Sequence, residues 1–299
     1  MAIRFDDKVV IVTGAGGGLG RCHALEFARR GARVVVNDLG GSVDGSGGAS
    51  DMAQKVVTEI TEAGGEAIAN GASVTDDRGV AGLVEQTMSA FGRIDFLVNN
   101  AGILRDRTLQ NMEIEDFEAV LNVHVMGTVK PTKAVWPIMR GQNHGRIVVT
   151  TSSSGLYGHF GQSNYGTAKM AVIGLINVLK LEGQKYNIHC NAVAPVAYTR
   201  MTSDVFPPEA EKLMTPERVT PAVVYLAGED APTGVVLCAG AGVFAKAEIV
   251  ESHGAYLGAD ATAEDIARNW GKISEMSDGK PLFMGGEQTG KFFEMSAGD

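Results

Sequence analysis

Cysteine and net positive charge are both scarce in this sequence. Three cysteines, Cys22, Cys190 and Cys238, lie far apart among 299 residues, and no C-x-x-C spacing occurs. We therefore expect reduced thiols in a cytoplasmic protein, with no disulfide framework and no metal site. Lysine and arginine total 26 against 35 aspartates and glutamates, so the net charge is −9. An acidic chain without a basic block argues against nucleic acid as a partner.

Long apolar runs are missing as well. No uninterrupted run is long enough to span a bilayer, so we expect no membrane partner. The opening residues MAIRFDDKVV carry charges where a signal peptide has its apolar core. Hydrophobic residues nevertheless make up 44% of the chain. This composition and length suffice to bury the core of one large domain or of two small ones.

Short β-branched runs alternate along the chain with longer helical patterns. The candidate strands are KVVIVT (8–13), RVVVND (33–38), EAIAN (66–70), IDFLVNN (94–100), GRIVVTTS (145–152), NIHCNAV (187–193) and GVVLCAG (234–240). Most are apolar on both faces, as expected for strands covered by helices on each side. The alternation predicts an α/β fold, a doubly wound parallel sheet of about seven strands.

The alternation of strands and helical patterns ends near Phe244. We expect residues 1–243 to form one catalytic domain and residues 244–299 to form an extension packed on that domain or on a partner subunit. The extension contains one helical pattern, TAEDIARNWGKISEM, in which Ile266, Trp270 and Ile273 recur at helical spacing. The residues that follow this pattern are rich in glycine, and we expect them to be irregular.

The first strand leads directly into TGAGGGLG, Thr13–Gly20, and then into a helical pattern. Here Gly14 permits a tight turn, Gly18 lets a pyrophosphate approach the backbone, and Gly20 lets helix and strand pack closely. With Leu19, these residues are predicted to bind a dinucleotide at the start of the helix. The alternative is a tight strand–helix turn that binds no ligand.

Asp38 ends the second strand, eighteen positions after Gly20. A carboxylate at this place can accept both ribose hydroxyls of an adenosine and repels a 2′-phosphate. No arginine follows it immediately, so NAD is favoured over NADP as the cofactor. The alternative is an aspartate that only ends the strand or caps the next turn.

Two polar segments follow the fourth and fifth strands. NNAG places Asn100 and Gly102 at one strand end, where small residues suit packing against a flat ligand. Ser152 lies at the carboxyl edge of the fifth strand, and Tyr165 follows thirteen residues later. Lys169 comes four residues after Tyr165 and shares its helix face. A Tyr-x-x-x-Lys pair alone occurs by chance in many helices, so its value rests on the other motifs.

Together, TGxxxGxG, NNAG, the serine and YxxxK resemble the short-chain dehydrogenase/reductase family over about residues 5–240. The stretches VVVNDLGG, NNAGILRDR and GQSNYGTAK are similar to its (3R)-hydroxyacyl-CoA dehydrogenase subfamily, whose bacterial members act on acyl-CoA and steroid substrates. A tyrosine titrates near pH 10, and a cationic Lys169 is predicted to lower that pKa. Ser152 then holds the substrate oxygen, Tyr165 moves the proton, and the family implies that Lys169 also binds the nicotinamide ribose.

Three places depart from the family pattern. His124 stands where most members carry an asparagine, and it is either a proton relay or a buried core histidine. Ser73 and Val74 replace the usual aspartate near the adenine. Ala197 and Thr199 follow a valine in place of the usual glycine, and we expect them to lie along the nicotinamide.

The predicted function is an NAD-dependent oxidoreductase that interconverts a secondary alcohol and a ketone, on a 3-hydroxyacyl-CoA or a 17β-hydroxysteroid. One alternative is a 3-oxoacyl thioester reductase of fatty-acid synthesis, and another is a catalytically silent NAD-sensing or scaffold protein. Residues 201–217 are either a lid or a surface loop. The cations Arg105, Arg107, Arg200 and Lys212 are candidates to bind CoA phosphates. The family usually pairs two long helices, here about 107–140 and 162–185, so a homodimer or homotetramer is expected.

Overall fold

A computed structural model of the protein describes residues 2–41, 44, 51–199, 201–202 and 210–297. All seven predicted strands form, as β1 to β7, and three more follow them. The strands are β1 Val9–Thr13, β2 Arg33–Asn37, β3 Glu66–Asn70, β4 Phe96–Asn99, β5 Gly145–Thr150, β6 Ile188–Val196, β7 Val236–Gly240, β8 Val243–Ala247, β9 Val250–Glu251 and β10 Lys280–Pro281.

Strands β1 to β8 form one sheet in the order β3-β2-β1-β4-β5-β6-β7-β8. Neighbouring strands from β3 through β7 are parallel. This order confirms the predicted doubly wound fold, and it puts the reversal of strand order between β1 and β4, where such sheets bind ligands. β8 was not predicted. It follows β7 across a two-residue turn in which Ala241 and Gly242 have φ of 51° and 80°, as a type I′ hairpin requires.

Helices cover both faces of the sheet, and every residue of β1 and β5 is buried. The continuous apolar strands of the sequence are explained by this double cover. The helices are α1 Gly18–Arg29, α2 Asp51–Glu62, α3 Asp77–Phe91, α4 Ile114–Leu121, α5 Gly127–Gln142, α6 Ser153–Tyr157, α7 Ser163–Gly183, α8 Ala210–Leu213, α9 Thr220–Leu226, α10 Ala263–Arg268, α11 Trp270–Ile273 and α12 Gly285–Ala297.

The helix expected over about 107–140 is not continuous. It begins at Ile114, and a π-helical turn, Asn122–Met126, separates α4 from α5. Such turns often mark functional sites, because the extra residue shifts the register of the side chains that follow. Within the described ranges, no helix is both long and apolar enough to cross a lipid bilayer.

The chain divides into two compact units, Met1–Lys246 and Ala247–Asp299. In the second unit, β9 pairs antiparallel with β10. Thr262 and Asp265 form a reciprocal capping box at the start of α10. The helical pattern predicted there forms as α10 and α11, but the expectation of irregular structure beyond it was wrong. α12 forms because two of its three glycines, Gly285 and Gly286, lie in its first turn rather than in its interior.

Candidate active site

The turn between β1 and α1 has the backbone conformation that its glycines predict. Gly14 and Gly18 have φ of 63° and 50°, in the left-handed region. A Cβ atom on Gly20 would lie 2.2 Å from the carbonyl oxygen of Gly14, so no larger residue fits there. α1 begins without a side-chain cap, which leaves its first backbone N–H groups for a ligand anion. This turn has the geometry of a pyrophosphate cradle.

Asp38 is held against this turn by two backbone donors. Its Oδ2 accepts from the N–H of Gly16 at 2.7 Å, and its Oδ1 accepts from the N–H of Gly40 at 2.7 Å. A Cβ atom on Gly16 would lie 2.8 Å from the carboxyl carbon of Asp38 and 2.8 Å from Cβ of Met52. Each carboxylate oxygen can still accept a second hydrogen bond. Met52, which belongs to no motif, also lines the cavity beside Asp38.

Asn100 joins the end of β4 to the glycine turn. Its Nδ2 donates to the carbonyl oxygens of Thr13 and Gly14, each at 3.0 Å, and its N–H donates to Oγ1 of Thr13 at 3.0 Å. The NNAG segment therefore fixes two neighbouring strand ends relative to each other. Through Asn100, it also holds the glycine turn in place.

Ser152 directly follows β5 and caps α6. Its Oγ accepts from the N–H of Ser154 at 3.2 Å. With an acceptor position of Oγ used in this way, the hydroxyl proton is directed elsewhere. The Ser152 hydroxyl also hydrogen-bonds with Tyr165, where it opposes part of the rise in pKa that burial causes, so the two hydroxyl groups meet.

Tyr165 and Lys169 lie one turn apart on α7. Nζ of Lys169 donates to the carbonyl oxygen of Thr150 at 2.6 Å and lies 5.4 Å from the centre of the Tyr165 ring. Burial lowers the pKa of Lys169 to about 7. Burial also raises the pKa of Tyr165 to about 12, with a further rise caused by Asp106. The pKa of Tyr165 is therefore raised rather than lowered as predicted, because desolvation outweighs the hydrogen bond with Ser152.

His124 lies in the π-helical turn and is buried, with 2% of its surface exposed. Its Nε2 is 2.8 Å from the carbonyl oxygen of Ile103. Its ring meets the Tyr165 ring edge-on, with 5.1 Å between the ring centres. Burial and the nearby Lys169 hold the pKa of His124 well below its usual value, so the ring is neutral. Its buried Nδ1 has no hydrogen-bond partner among the described residues.

A single cavity of about 720 Å³ brings the predicted residues together. Gly20 is the exception, since it packs behind the turn. Leu19, Ser73, Val74, Ala197 and Thr199 all contribute to the cavity wall. The predicted members of the wall are Gly14, Gly18, Leu19, Asp38, Ser73, Val74, Asn100, Gly102, His124, Ser152, Tyr165, Lys169, Ala197 and Thr199.

The remaining predicted residues lie outside the described residues, already have partners or are exposed. Arg200 and residues 203–209 of the predicted lid lie outside the described residues. Arg105 is engaged by the carboxylate of Asp116 at 2.9 Å and by the carbonyl oxygen of Asp44 at 3.0 Å. Arg107 is exposed, as is Lys212.

One end of the cavity is thus a phosphate cradle beside a carboxylate, and the other end holds a serine, a tyrosine and a lysine. The fold and this arrangement of groups are those of a dinucleotide-dependent oxidoreductase. The family described as short chain dehydrogenase matches residues 8–210. The chain therefore belongs to the short-chain dehydrogenase family, as its motifs predicted.

Three known proteins show how far the similarity extends. A short-chain type dehydrogenase/reductase of Mycobacterium tuberculosis is 48% identical over 275 residues, or 92% of this chain and 96% of that protein. The full-length peroxisomal multifunctional enzyme type 2 of Drosophila melanogaster matches with a TM-score of 0.82 and 38% identity, over 98% of this chain and 50% of that one. A 7α-hydroxysteroid dehydrogenase complexed with NADH and 7-oxo glycochenodeoxycholic acid matches with a TM-score of 0.72 and 29% identity, over 80% of this chain and 95% of that one. This chain thus spans about half the length of the insect enzyme.

Proposed function

We propose that this protein is an NAD-dependent dehydrogenase that interconverts the secondary alcohol of a 3-hydroxyacyl-CoA and the corresponding ketone. The observation that carries the proposal is the meeting of Ser152, Tyr165 and Lys169 in the same cavity as the glycine turn and Asp38. A catalytically silent NAD-binding protein would not need a buried lysine beside a partly buried tyrosine, since burying an ammonium group costs stability.

The residues present fit NAD. The cradle of Gly14 and Gly18 and the uncapped start of α1 suit its pyrophosphate, and Asp38 retains an acceptor position on each oxygen for the adenosine ribose. The carboxylate disfavours the 2′-phosphate of NADP, which also argues against a biosynthetic reductase. The NADH complex of the structurally similar hydroxysteroid dehydrogenase supports this choice. When bound, NAD accepts or returns a hydride, and its oxidised nicotinamide ring carries a positive charge.

Ser152 and Tyr165 supply the proton chemistry. The Ser152 hydroxyl, with its oxygen engaged by the N–H of Ser154, donates to the substrate oxygen and stabilises the charge that develops there. Tyr165 accepts the alcohol proton during oxidation and returns a proton to the ketone oxygen during reduction. Burial raises the pKa of Tyr165 to about 12, so the phenol stays protonated near neutral pH, which is the form that returns a proton to the ketone.

Lys169 and His124 complete the site. With a pKa of about 7, Lys169 exchanges protons near neutral pH, and its Nζ is fixed by the carbonyl oxygen of Thr150 while its other N–H groups remain for the nicotinamide ribose. The neutral His124 ring holds Tyr165 in position by packing against its edge. We assign His124 as a positioning residue for Tyr165.

The similar proteins and the cavity support the proposed substrate class. The cavity of about 720 Å³ contains both the glycine turn and the Ser152–Tyr165 end, so the cofactor and the substrate share it. The sequence resemblance to the (3R)-hydroxyacyl-CoA dehydrogenase subfamily favours the thioester, and the similar 7α-hydroxysteroid dehydrogenase supports a steroid as a second substrate of the same cavity. Of the cations considered for the CoA phosphates, Arg107 and Lys212 are exposed, whereas Arg105 is already paired.

We further propose that the protein forms a homodimer or homotetramer through α5 and α7. An apolar groove between these helices is lined by Val129, Trp136, Pro137, Leu175 and Leu179. In the second unit, Trp270 and Phe293 expose 61% and 72% of their surfaces, which fits an extension that packs on a partner subunit. Sedimentation of the wild type and of Leu179→Glu measures this, and a wild type that stays monomeric at all concentrations contradicts it.

The test of the function is direct. Protein and NAD are mixed with a (3R)-hydroxyacyl-CoA, with a 17β-hydroxysteroid and with simple secondary alcohols, while the absorbance of the reduced nicotinamide is followed. We expect oxidation of the thioester, with a KM that rises with salt as the phosphates are screened. Turnover of the steroid alone would reject the thioester, and turnover of no alcohol would favour the catalytically silent alternative.

A further inference from the structure

A chain of three polar side chains borders the substrate half of the cavity, and the reaction just described does not use it. Oγ of Ser154 donates to Oε1 of Gln162 at 2.7 Å, and Nε2 of Gln162 donates to Oδ2 of Asp106 at 2.6 Å. Ser154 and Gln162 both line the cavity next to Ser152 and Tyr165. The other oxygen of Asp106, Oδ1, is buried and has no hydrogen-bond partner among the described residues.

Two backbone contacts hold Asp106 in this position. The loop after β4 forms an isolated parallel bridge with the residue before α7, between Arg107 and Gln162. Two residues later, the buried Asn164 donates through Nδ2 to the carbonyl oxygen of Arg105 at 2.8 Å. Asp106 therefore lies on a loop segment that is anchored on both sides of it, and its carboxylate is presented to Gln162 rather than to solvent.

The order of the chain fixes the direction of each hydrogen bond. An ionised carboxylate only accepts, so the amide of Gln162 must turn its NH₂ group towards Asp106 and its oxygen towards Ser154. Ser154 then has to donate its proton to that oxygen. Two hydrogen-bonding positions on the cavity wall then remain unused. The lone pairs of Ser154 Oγ can accept a hydrogen bond, and the adjacent second N–H of Gln162 can donate one.

We propose that Ser154 forms a subsite for a secondary amide of the substrate, in which its Oγ accepts the amide N–H, with Gln162 and Asp106 as the positioning residues. This inference rests on the proposed function, because an acyl thioester carried on a pantetheine arm has such amides and a steroid nucleus has none. It makes the thioester carrier, and not only the acyl chain, a determinant of specificity.

Two matched substrates test the subsite. One is the 3-oxobutanoyl thioester of N-acetylcysteamine, which carries a single amide. The other is its isostere in which an ester oxygen replaces the amide N–H and the carbonyl is kept. The wild type should reduce the amide thioester with a kcat/KM about three- to tenfold higher, the effect of one neutral hydrogen bond.

Ser154→Ala should abolish this preference, so that kcat/KM for the amide thioester becomes equal to that for the ester isostere in the same variant. Asp106→Asn should weaken the preference, since an asparagine can face Gln162 with either its oxygen or its nitrogen. Asp106 also raises the pKa of Tyr165, but that effect acts on both substrates and cancels in their ratio. Thr167→Ala removes an exposed hydroxyl of α7 that donates only to the carbonyl oxygen of Ser163, and it should keep the wild-type preference.

Each outcome separates the inference from the proposed function. Equal kcat/KM of the wild type for the two thioesters would reject the subsite while the dehydrogenase function stands. A preference that survives in Ser154→Ala would also reject it, because the amide would then bind elsewhere. Failure of the wild type to reduce either thioester would reject the proposed substrate class and the subsite with it. Melting curves of the variants confirm that each one is folded.

Discussion

The imidazole of His124 occupies the space that a side chain at Gly102 would need. A Cβ atom on Gly102 would lie 2.4 Å from Cε1 of His124, a distance that real Cβ contacts do not reach. The next residue, Ile103, places its carbonyl oxygen 2.8 Å from Nε2 of the same ring. The last glycine of NNAG is therefore matched to the histidine of the π-helical turn, in addition to lining the cavity.

Because the His124 ring fills the space beside Gly102, removing that ring should offset the destabilisation caused by a side chain at position 102. Gly102→Ala should destabilise the protein by about 1–3 kcal/mol, the usual cost of overpacking a buried site. The double variant Gly102→Ala, His124→Ala should be more stable than the sum of the two single changes predicts, because the clash is gone. Thermal or denaturant unfolding of the four proteins gives the coupling, and additive effects would show that the ring can move aside at little cost.

His124 is expected to affect stability and its pH dependence. Its pKa in the folded protein is well below the usual value, so the folded state excludes a proton that the unfolded chain binds as the pH falls through about 6.5. The wild type should therefore lose stability below that pH, and His124→Gln should lose less. At neutral pH, His124→Gln should cost about 1–3 kcal/mol through disrupted buried hydrogen bonding. A changed pH–rate profile with an unchanged melting temperature would instead identify His124 as a proton relay.

Tyr165→Phe keeps the ring that packs against His124 and removes the acid–base group. Turnover should fall by about 10²–10⁴-fold, with NAD binding largely retained. In the wild type, the raised pKa of Tyr165 predicts that oxidation accelerates as the pH rises towards the alkaline range and that reduction slows. Steady-state rates across pH and cofactor titration by fluorescence measure both effects. Near-normal turnover in Tyr165→Phe would contradict the assignment of Tyr165 as the acid–base group.

Lys169 should make the wild type more stable at alkaline pH. Its pKa is about 7 in the folded protein and 10.5 when unperturbed, so between these values the unfolded chain binds more protons than the folded one. Between about pH 7 and 10, the wild type should gain roughly 2–5 kcal/mol relative to Lys169→Met. Below pH 7 the difference should be constant. Urea unfolding of both proteins across this range tests it, and parallel stability curves would mean that the lysine remains charged in the folded state.

Asp38 should set the cofactor preference. The wild type should have a higher kcat/KM with NAD than with NADP. Leu39 follows Asp38 at the exposed edge of the cavity, so Asp38→Ser combined with Leu39→Arg should shift the ratio towards NADP. Asp38→Ser alone is the matched control, and it also reports what the two hydrogen bonds to Gly16 and Gly40 contribute. A wild type that prefers NADP would show that Asp38 orders the turn but does not select the cofactor.

Much of the fold was readable from the sequence because its signals are local. The strands β1 to β7 are continuous β-branched runs, and Gly14 and Gly18 take the left-handed conformations that their positions predict. β8 and α12 were missed because their patterns are weak. VFAKA is short and mostly exposed, and α12 begins with paired glycines. The turn at Ala241 and Gly242 decided β8, and α12 forms although one glycine, Gly290, lies in its interior.

The amino-acid sequence by itself determined the doubly wound sheet, the glycine turn, and the spacing that brings Ser152 to Tyr165. These depend on side-chain periodicity, on glycine at positive φ and on the geometry of parallel strands, all of which act over a few residues. Only the tertiary structure decided the π-helical turn that points His124 at Tyr165, the anchored loop that presents Asp106 to Gln162, and the burial that moves the pKa values of Tyr165 and Lys169 away from those predicted. Each of these is a balance between desolvation and contacts made by residues far apart in the chain, and no local pattern encodes that balance.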